Sequence, residues 1–418
     1  MACSKSAKNK VDYFSNAPDI VIDKILESMP IRMAARTSVL SKQWRHAWLS
    51  LEKLNFDAGF WAVTKDNSNV DWRKGSQIIS GILLCHSGPV HEFDLNLPCE
   101  ACMTYRHWIS FLSKNGVRKI VIRNCYLKMA ITTPIFWCSE LVHLELSAFN
   151  LNPPPTDFIG FPNLKHLVLA EVKFITQSSF SSLIGNCRML ETLKLVNWSG
   201  MDHIVIDAPS LQTLVLNGDF QSLAFGNLRS LKSISVCLKT MPKNHTTTVA
   251  TIDAVNLLAS SCQLRYIKFD GHLCKLFAAG GNIRSSSVTF NNLHGLCLSN
   301  LDLSNFDAFR YLLSMVECCP YIKKLDISVI SSQNVGQNIV DFNYNYKLDH
   351  LREVIISGIT GSSAELKLVE YLLAISTVLE NLFLKCGKLG IDSKLKMSSA
   401  LMGFPRASPK ARLLFLEK

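Results

Sequence analysis

The apolar positions of this chain follow a recurring six-residue pattern from residue 90 onward. The pattern is apolar-x-x-apolar-x-apolar, as in LKHLVL at 164–169 and LENLFL at 379–384. Because its last three positions alternate, each copy predicts a short strand that turns its leucines to one side. The pattern starts at twelve positions: Val90, Val117, Leu141, Leu164, Leu190, Leu211, Leu231, Leu264, Leu293, Ile322, Leu351 and Leu379.

Consecutive starts are separated by 20 to 33 residues, a spacing that indicates a repeat array. Several intervals also carry apolar residues at helical spacing, at 104–116, 178–187, 253–262, 307–319 and 364–375. A strand followed by a helix in each unit resembles leucine-rich repeats. The resemblance implies an α/β fold, a leucine-rich-repeat solenoid or horseshoe with its strands on the concave side.

The intervals that end at Leu211 and Leu231 are 21 and 20 residues long, which leaves no room for a full helix. Extended or 3₁₀ segments are predicted there instead. The alternative is a doubly wound α/β fold, which needs no regular period. That fold should show a phosphate-binding glycine loop, and no G-x-G-x-x-G occurs in the sequence.

The stretch 17–51 has helical periodicity. A first helix is predicted by four apolar residues on one helical face: Ile22, Ile25, Leu26 and Met29. It opens near Pro18 and ends before Pro30, because the residue before proline avoids the α region. A second short helix is predicted over 31–40. Ser41 is predicted to cap a third helix, whose apolar face comprises Trp44, Ala47, Trp48 and Leu51.

These three short helices carry more apolar surface than about forty residues can cover. One interpretation is an ordinary helical cap on the next domain, and the other is a module that docks on a partner. The stretch resembles an F-box in its I-L-x-x-x-P turn (residues 25–30) and its L-S-K-x-W-R (residues 40–45). Family members usually open with Leu-Pro where this chain has Ala17-Pro18, a mild departure that leaves the apolar pattern intact.

The C-terminal part resembles the FBD domain that closes many plant F-box proteins. The similarity lies in the region from Leu348, in Phe404–Ser408 and in the strand-like 413–416. Such a region can act as the terminal cap that a solenoid needs. The chain as a whole resembles the plant F-box/FBD/leucine-rich-repeat protein family. Five regions are predicted: a disordered tail at 1–14, an F-box at 15–53, a connecting segment at 54–89, the repeats at 90–347, and an FBD-like region with the last repeats at 348–418.

Composition narrows the class of protein. Of 418 residues, 48% are hydrophobic and 18% charged, which suits a large core and excludes general disorder. The net charge is +11, but the cations are spread out, so a solvated surface is the first interpretation, an acidic protein partner the second and nucleic acid the last. Residues 1–10 lack an apolar signal core and no run of eighteen apolar residues occurs, so neither secretion nor a membrane span is expected. Fourteen cysteines in such a chain predict reduced thiols in the cytoplasm or nucleus.

Catalytic signatures such as H-E-x-x-H and G-x-S-x-G are absent from the sequence. A single C-x-x-C exists, at Cys99 and Cys102, with His107 nearby. Because a structural zinc site needs four ligands, usually from two such pairs, neither a metal nor a cofactor is expected. The sequence therefore predicts a binding protein rather than an enzyme.

The family resemblance implies a substrate receptor of an SCF-type cullin ubiquitin ligase. Its F-box would dock on a Skp-family adaptor, which links it to cullin, through Pro18, Ile22, Leu26, Pro30, Leu40, Trp44 and Trp48. Some of these residues must instead form the internal core of the helices. The repeats would bind a target protein through residues that follow or end the strands: Arg123, Asn124, Trp198, Asn217, Asp219, Asp270, His272 and Asn300. Two alternatives remain: a hormone-type small-molecule co-receptor with the same F-box, and an interaction scaffold outside any ligase.

Overall fold

The computed structural model describes residues 14, 17–62, 65–66, 69–98, 104–125, 129–240, 263–279, 289–330, 344–386 and 391–416. The chain divides into two compact units. The first contains the described residues up to Leu167, together with 171–175 and 182–187, and the second contains 168–170, 176–181 and the residues from Arg188 onward. This division falls inside the predicted repeats. Residues 1–13 of the tail predicted at 1–14, the C-x-x-C and the helix predicted at 253–262 lie outside the described residues.

A helical segment opens the first unit. It contains α1 (Asp19–Glu27), α2 (Ile31–Arg36), a 3₁₀ turn (Thr37–Val39), α3 (Trp44–Ala47) and a second 3₁₀ turn (Trp48–Ser50). Helices α1 and α2 each start directly after a proline, whose carbonyl oxygen accepts the first helical hydrogen bonds. The predicted cap at Ser41 is wrong. Helix α3 starts three residues later, and the Ser41 hydroxyl is buried without a hydrogen-bond partner.

The rest of the first unit alternates strands and helices. Its elements are β1 (Lys53–Phe56), α4 (Ala58–Ala62), β2 (Lys65–Asp66), β3 (Asn69–Val70), α5 (Trp72–Cys85), β4 (Glu92–Asn96), α6 (Tyr105–Lys114), β5 (Lys119–Arg123), a 3₁₀ turn (Thr133–Trp137), β6 (His143–Ser147), β7 (Asn150–Leu151), β8 (His166–Ala170), β9 (Lys173–Phe174) and α7 (Ser178–Ile184), of which β8 and α7 are divided between the units. Strands β1, β4, β5 and β6 pair in that order, and every pair is parallel.

The second unit continues the same scheme. Its further elements are β10 (Thr192–Val196), β11 (His203–Ile206), β12 (Thr213–Asn217), β13 (Ser222–Phe225), β14 (Ser233–Cys237), β15 (Tyr266–Asp270), α8 (Gly271–Ala279), β16 (Gly295–Leu301), α9 (Phe306–Glu317), β17 (Lys324–Val329), β18 (Glu353–Ile359), α10 (Ser363–Ile375), β19 (Asn381–Cys386), α11 (Ile391–Met402) and β20 (Arg412–Leu416). The main sheet of this unit has the order β10-β12-β14-β15-β16-β17-β18-β19-β20, with every pair parallel. A doubly wound sheet reverses its strand order, so the alternative fold does not describe this unit.

The leucine pattern accounts for the core. Every one of the twelve predicted repeat starts is buried, and a strand begins two residues after each of them. The two later apolar positions of each copy also point inward, as Leu193 and Leu195 do in β10. The intervening side chains occupy the opposite side of the strands, here called the open face, because successive residues of a strand point to opposite sides.

The local predictions for the intervals between strands are largely confirmed. The helices predicted at 104–116, 178–187, 307–319 and 364–375 correspond to α6, α7, α9 and α10. The two short intervals hold the extended strands β11 and β13, which pair with each other in parallel. Helix α10 starts with a capping box, in which the Ser362 hydroxyl accepts the Glu365 N–H and the Glu365 carboxylate accepts the Ser362 N–H.

Candidate functional site

The helical segment is organised around one buried tryptophan. Trp44 is only 1% exposed, and its indole N–H donates to the carbonyl oxygen of Phe14 at 2.8 Å. Ile22 and Leu26 of α1 and Ile31 of α2 are buried as well. The side-chain amide of Gln43 adds a hydrogen bond, which it donates to the Ala17 carbonyl oxygen at 2.9 Å. The small core of the segment thus consists of residues from all three helices.

A second set of apolar side chains in the same segment faces solvent. Val39 is 87% exposed and Ile20 is 71% exposed, although both are branched hydrocarbons. We call the set the apolar helical surface, and its members are Ile20, Val21, Met33, Val39 and Leu40. Isolated exposed apolar residues are ordinary, whereas five of them within about twenty residues make the segment a candidate interaction site. The helical segment therefore carries both a small core and an uncovered apolar surface.

The predicted docking residues fall into two groups in the structure. Ile22, Leu26 and Trp44 belong to the core, so they are not available to a partner while the segment stays folded. Pro18, Pro30 and Leu40 are exposed, and Trp48 is half-buried. The set predicted from sequence does not include the exposed Ile20, Val21, Met33 and Val39. That set took two residues from the periodic face of α1, two prolines, two tryptophans and Leu40.

The open face of the first unit is lined with paired charges. The Glu92 carboxylate lies 3.5 Å from the Lys53 ammonium and 3.2 Å from the Lys119 ammonium. Arg123 contacts the carboxylates of Asp94 and Glu145 at 2.9 and 3.0 Å. All six residues lie on neighbouring parallel strands, where register brings side chains of successive repeats side by side.

These pairings shift two pKa values. Partial burial acts to raise the pKa of Glu92, but its hydrogen bonds and the charges of Lys119 and Lys53 outweigh burial and hold that pKa below its ordinary value. The pKa of His143 is also lowered, because burial and the positive charge of Lys119 both disfavour the imidazolium. Glu145 opposes this effect on His143 without cancelling it.

The predicted target-binding residues at the end of β5 make contacts within the chain. Arg123 is half-exposed but neutralised by its two carboxylate partners. The Asn124 amide donates to the Ala148 carbonyl oxygen at 3.1 Å, and its backbone N–H donates to Ser147 at 3.0 Å. Asn124 therefore satisfies backbone acceptors of the next repeat along the chain.

Two predicted aspartates hold neighbouring loops. One Asp270 carboxylate oxygen accepts the backbone N–H groups of Leu238 and Leu273, at 2.9 and 3.2 Å. Asp270 is buried, which raises its pKa, although these hydrogen bonds act in the opposite direction. The exposed Asp219 plays a similar part, since its Oδ1 accepts N–H groups from the turn after β14, including that of Thr240 at 2.8 Å. His272 donates its backbone N–H to Asp270 and has a buried ring nitrogen, Nδ1, without a partner.

The other predicted strand-end residues differ in accessibility. Trp198 is buried, and its ring stacks on Phe220 at 6.5 Å. Asn217 and Asn300 are exposed, and Asn300 has a positive φ of 55°, a conformation that asparagine tolerates better than most residues. The structure therefore leaves Asn217, Asp219 and Asn300 as accessible members of the set, and their part in target binding stays a prediction.

The open face of the second unit includes a tyrosine that packs on a glycine of the neighbouring strand. Tyr266, at the start of β15, lies over Gly295 of the next strand, where a Cβ atom would come within 2.9 Å of the tyrosine ring. Burial and the neighbouring Cys297 raise the pKa of Tyr266. Lys268 and Asp326 lie two positions further along their strands than Tyr266 and Lys324. Lys268 and Asp326 could have been found from the sequence, since each occupies the variable position between the two inward apolar residues of its strand.

Other kinds of site are not supported in the part of the chain that the structure describes. Within it, no group of three or more His, Cys, Asp or Glu side chains is arranged to hold a metal ion. No helix among the described residues is long and apolar enough to cross a membrane.

Known proteins similar to this chain also carry leucine-rich repeats. A family model described as "FBD-associated F-box protein At5g56370, LRR repeats" matches residues 105–327. The F-box/FBD/LRR-repeat protein At1g13570 of Arabidopsis thaliana is 31% identical over 417 residues, which cover 97% of this chain and 99% of the relative. The F-box/LRR-repeat protein 13 of the same plant is 25% identical, with 98% and 97% covered.

Among solved structures, a leucine-rich-repeat protein of Leptospira interrogans, LIC12759, is similar at 12% identity. The similarity covers 78% of this chain and 89% of that protein, with a TM-score of 0.34.

Parallel strands that pair in chain order, each carrying the leucine pattern, define the class of the molecule as a mixed α/β leucine-rich-repeat protein. The chain belongs to the F-box/FBD/leucine-rich-repeat protein family. The relatives named above are F-box and repeat proteins, and none of their names denotes an enzyme.

Proposed function

We propose that this protein is the substrate-recognition subunit of an SCF-type cullin ubiquitin ligase in the cytoplasm or nucleus. Residues 15–53 act as the F-box and dock on a Skp-family adaptor, which connects the chain to cullin. The repeats bind a target protein, and residues 348–418 act as the FBD-like end of the molecule. The chain itself catalyses no reaction and needs no cofactor. The observation that carries this proposal is the apolar helical surface.

The adaptor contact that we propose differs from the set predicted from sequence. It consists of the apolar helical surface together with the exposed Pro18 and Pro30 and the half-buried Trp48. Ile22, Leu26 and Trp44 support this surface from the inside, because they fill the space between the helices. Burial of an exposed Val39 against a partner would stabilise the complex by about 25 cal/mol for each Å² of apolar surface removed from water.

The test is co-expression of the full chain with a Skp-family adaptor, followed by size-exclusion chromatography. We expect a stable one-to-one complex with the unmodified chain and loss of that complex with Val39→Asp. Leu84→Asp is a matched control, because Leu84 on α5 is 84% exposed and undergoes the same chemical change. A complex that withstands Val39→Asp would contradict the proposed contact surface. A stable monomer that ignores the adaptor would contradict the ligase role and favour the scaffold alternative.

The hormone-type co-receptor lacks support from the described residues. An inositol phosphate would need arginine and lysine side chains that converge on its phosphates. Arg123, the predicted cation at a strand end, is already bound by Asp94 and Glu145. We therefore assign the repeats to a protein target.

A further inference from the structure

Among the strands that the structure describes, the last one of the second unit is paired on one side only. Among the described strands, β20 pairs only with β19, in parallel, with Arg412 beside Asn381 and Leu416 beside Lys385. The Arg412 N–H donates to the Glu380 carbonyl oxygen at 3.0 Å, so Arg412 faces β19. Because successive residues of a parallel strand direct their N–H and C=O groups to opposite sides, Leu413 and Phe415 direct theirs to the free edge.

Four of the five side chains of this edge strand are apolar, and Arg412 is its one charged residue. Leu414, Phe415 and Leu416 are 37%, 44% and 39% exposed. Natural sheets usually protect an edge with charges, prolines, a bulge or a covering element. On the open face, Leu414 continues a row of half-buried apolar residues, since it lies beside Phe383, which lies beside Ile355. An added strand would therefore find backbone partners and an apolar surface together.

The charge around the edge indicates the chemistry of its partner. Residues 385–418 contain eight lysines and arginines and only two acidic residues. Lys410 and Arg412 are exposed and form no ion pair among the described residues. Two carboxylates on or next to the preceding strands already have cationic partners, since Lys324 binds Glu353 at 2.6 Å and Arg352 binds Glu380 at 3.8 Å. An acidic partner would meet cations that no acidic side chain of the described chain neutralises.

We propose that β20 is a docking edge for an extended segment of another protein, which adds a further parallel strand to this sheet. Leu413 and Phe415 provide its backbone hydrogen bonds. An acidic residue of the segment lies near Arg412, and apolar residues at alternate positions after it pack beside Leu414 and Leu416. This mode of recognition takes its affinity from main-chain bonds and its specificity from alternate side chains. It does not depend on adaptor docking, which uses the other end of the sequence.

The test uses the full chain and a fluorescein-labelled peptide, DTVTVT, with KTVTVT as its charge-inverted counterpart, in an anisotropy titration. We expect saturable binding of DTVTVT. Phe415→Pro removes one outward N–H at an edge position where proline is tolerated, and it should weaken binding about tenfold. Arg412→Glu should reverse the preference between the two peptides. Lys396→Glu is the matched control, because it makes the same charge change on the exposed side of α11 and should preserve the preference.

Equal binding of the two peptides, or a preference that Lys396→Glu reverses as fully as Arg412→Glu does, would overturn the proposal. Concentration-dependent dimerisation that Phe415→Pro abolishes would also overturn it, since the occupant would then be a second copy of this chain. If Phe415→Pro does not fold, the binding of DTVTVT and KTVTVT to the Arg412→Glu variant still tests the proposal. Adaptor binding measured on the same samples keeps this outcome separate from that of the proposed ligase function.

Discussion

The helical segment and the repeat strands use apolar residues in different ways. In the repeats, all twelve pattern-start residues are buried, and the side chains between the inward leucines are mostly polar or half-buried. In the helical segment, apolar residues occur on both sides: Ile22 and Leu26 point inward, while Ile20 and Val39 face solvent. The repeat starts are thus covered within the chain, whereas the described part of the helical segment leaves several apolar side chains uncovered.

This difference follows from size. A repeat adds one strand to a sheet that already has a core, so each copy needs only one apolar side. A segment of about forty residues can build only a small core of its own, and extra apolar residues have no interior to enter. Stability should therefore depend on the repeat leucines, whereas recognition of an adaptor should depend on residues that contribute almost nothing to stability.

The largest loss of stability is expected from replacement of Trp44, the buried tryptophan of the small helical core. Trp44→Ala removes a buried ring and its bond to Phe14, which should destabilise the helical segment by about 3–5 kcal/mol. We expect rapid tryptic cleavage at Arg36 and Arg45 and loss of adaptor binding, with unchanged thermal unfolding of the repeats. Trp48→Ala is the control, since Trp48 is only half-buried. Equal protease resistance of the two variants would show that Trp44 is not the anchor.

Removal of a repeat leucine should lower the stability of the repeats rather than that of the helical segment. Leu141→Ala empties a fully buried repeat start in the first unit and should lower the free energy of unfolding by about 2–5 kcal/mol. Leu84→Ala deletes the same atoms from an exposed site and should change it by less than about 0.5 kcal/mol. Urea denaturation measures both. Similar losses in the two variants would contradict the assignment of the pattern starts to the core.

A smaller effect is expected on the open face. Arg123→Ala leaves Asp94 and Glu145 without their shared cation, but the site is partly exposed, so the loss of stability should stay below about 1 kcal/mol. The loss should shrink further in high salt, because ions screen exposed charges. Arg352→Ala breaks the longer and more exposed contact with Glu380, and it should have no measurable effect on the melting temperature.

The smallest effect is a dependence on pH. Since the pKa of His143 is lowered from 6.5 in the folded chain, the unfolded chain binds more protons just below pH 6.5. This contribution to stability is present above pH 6.5 and is lost as the pH falls toward the folded pKa. His143→Gln should therefore narrow the difference in melting temperature between pH 7.5 and pH 5.5 in matched thermal scans. An unchanged or wider difference would contradict the sign.

Sequence periodicity predicted the sheet because each strand repeats the same requirement: three buried positions, of which the last two alternate. It also predicted that the short intervals would be extended, since a helix does not fit in them. It could not assign the faces of the small helical segment, because Leu26 and Leu40 are equally apolar and only packing decides which is covered. Hydrogen bonds between repeats could not be predicted either, because they also depend on packing. The roles of Asn124 and Asp270 depend on backbone groups of neighbouring repeats that lie 20 or more positions away.

The central claim is that the apolar helical surface, rather than the repeat sheet, contacts a Skp-family adaptor. Amide hydrogen exchange of the full chain, with and without the adaptor, tests it directly. We predict slower exchange in peptides that cover residues 19–40 on adaptor binding, and unchanged exchange in α5 (Trp72–Cys85) and β10 (Thr192–Val196). Protection confined to the repeat strands, or no protection despite a complex, would contradict the account.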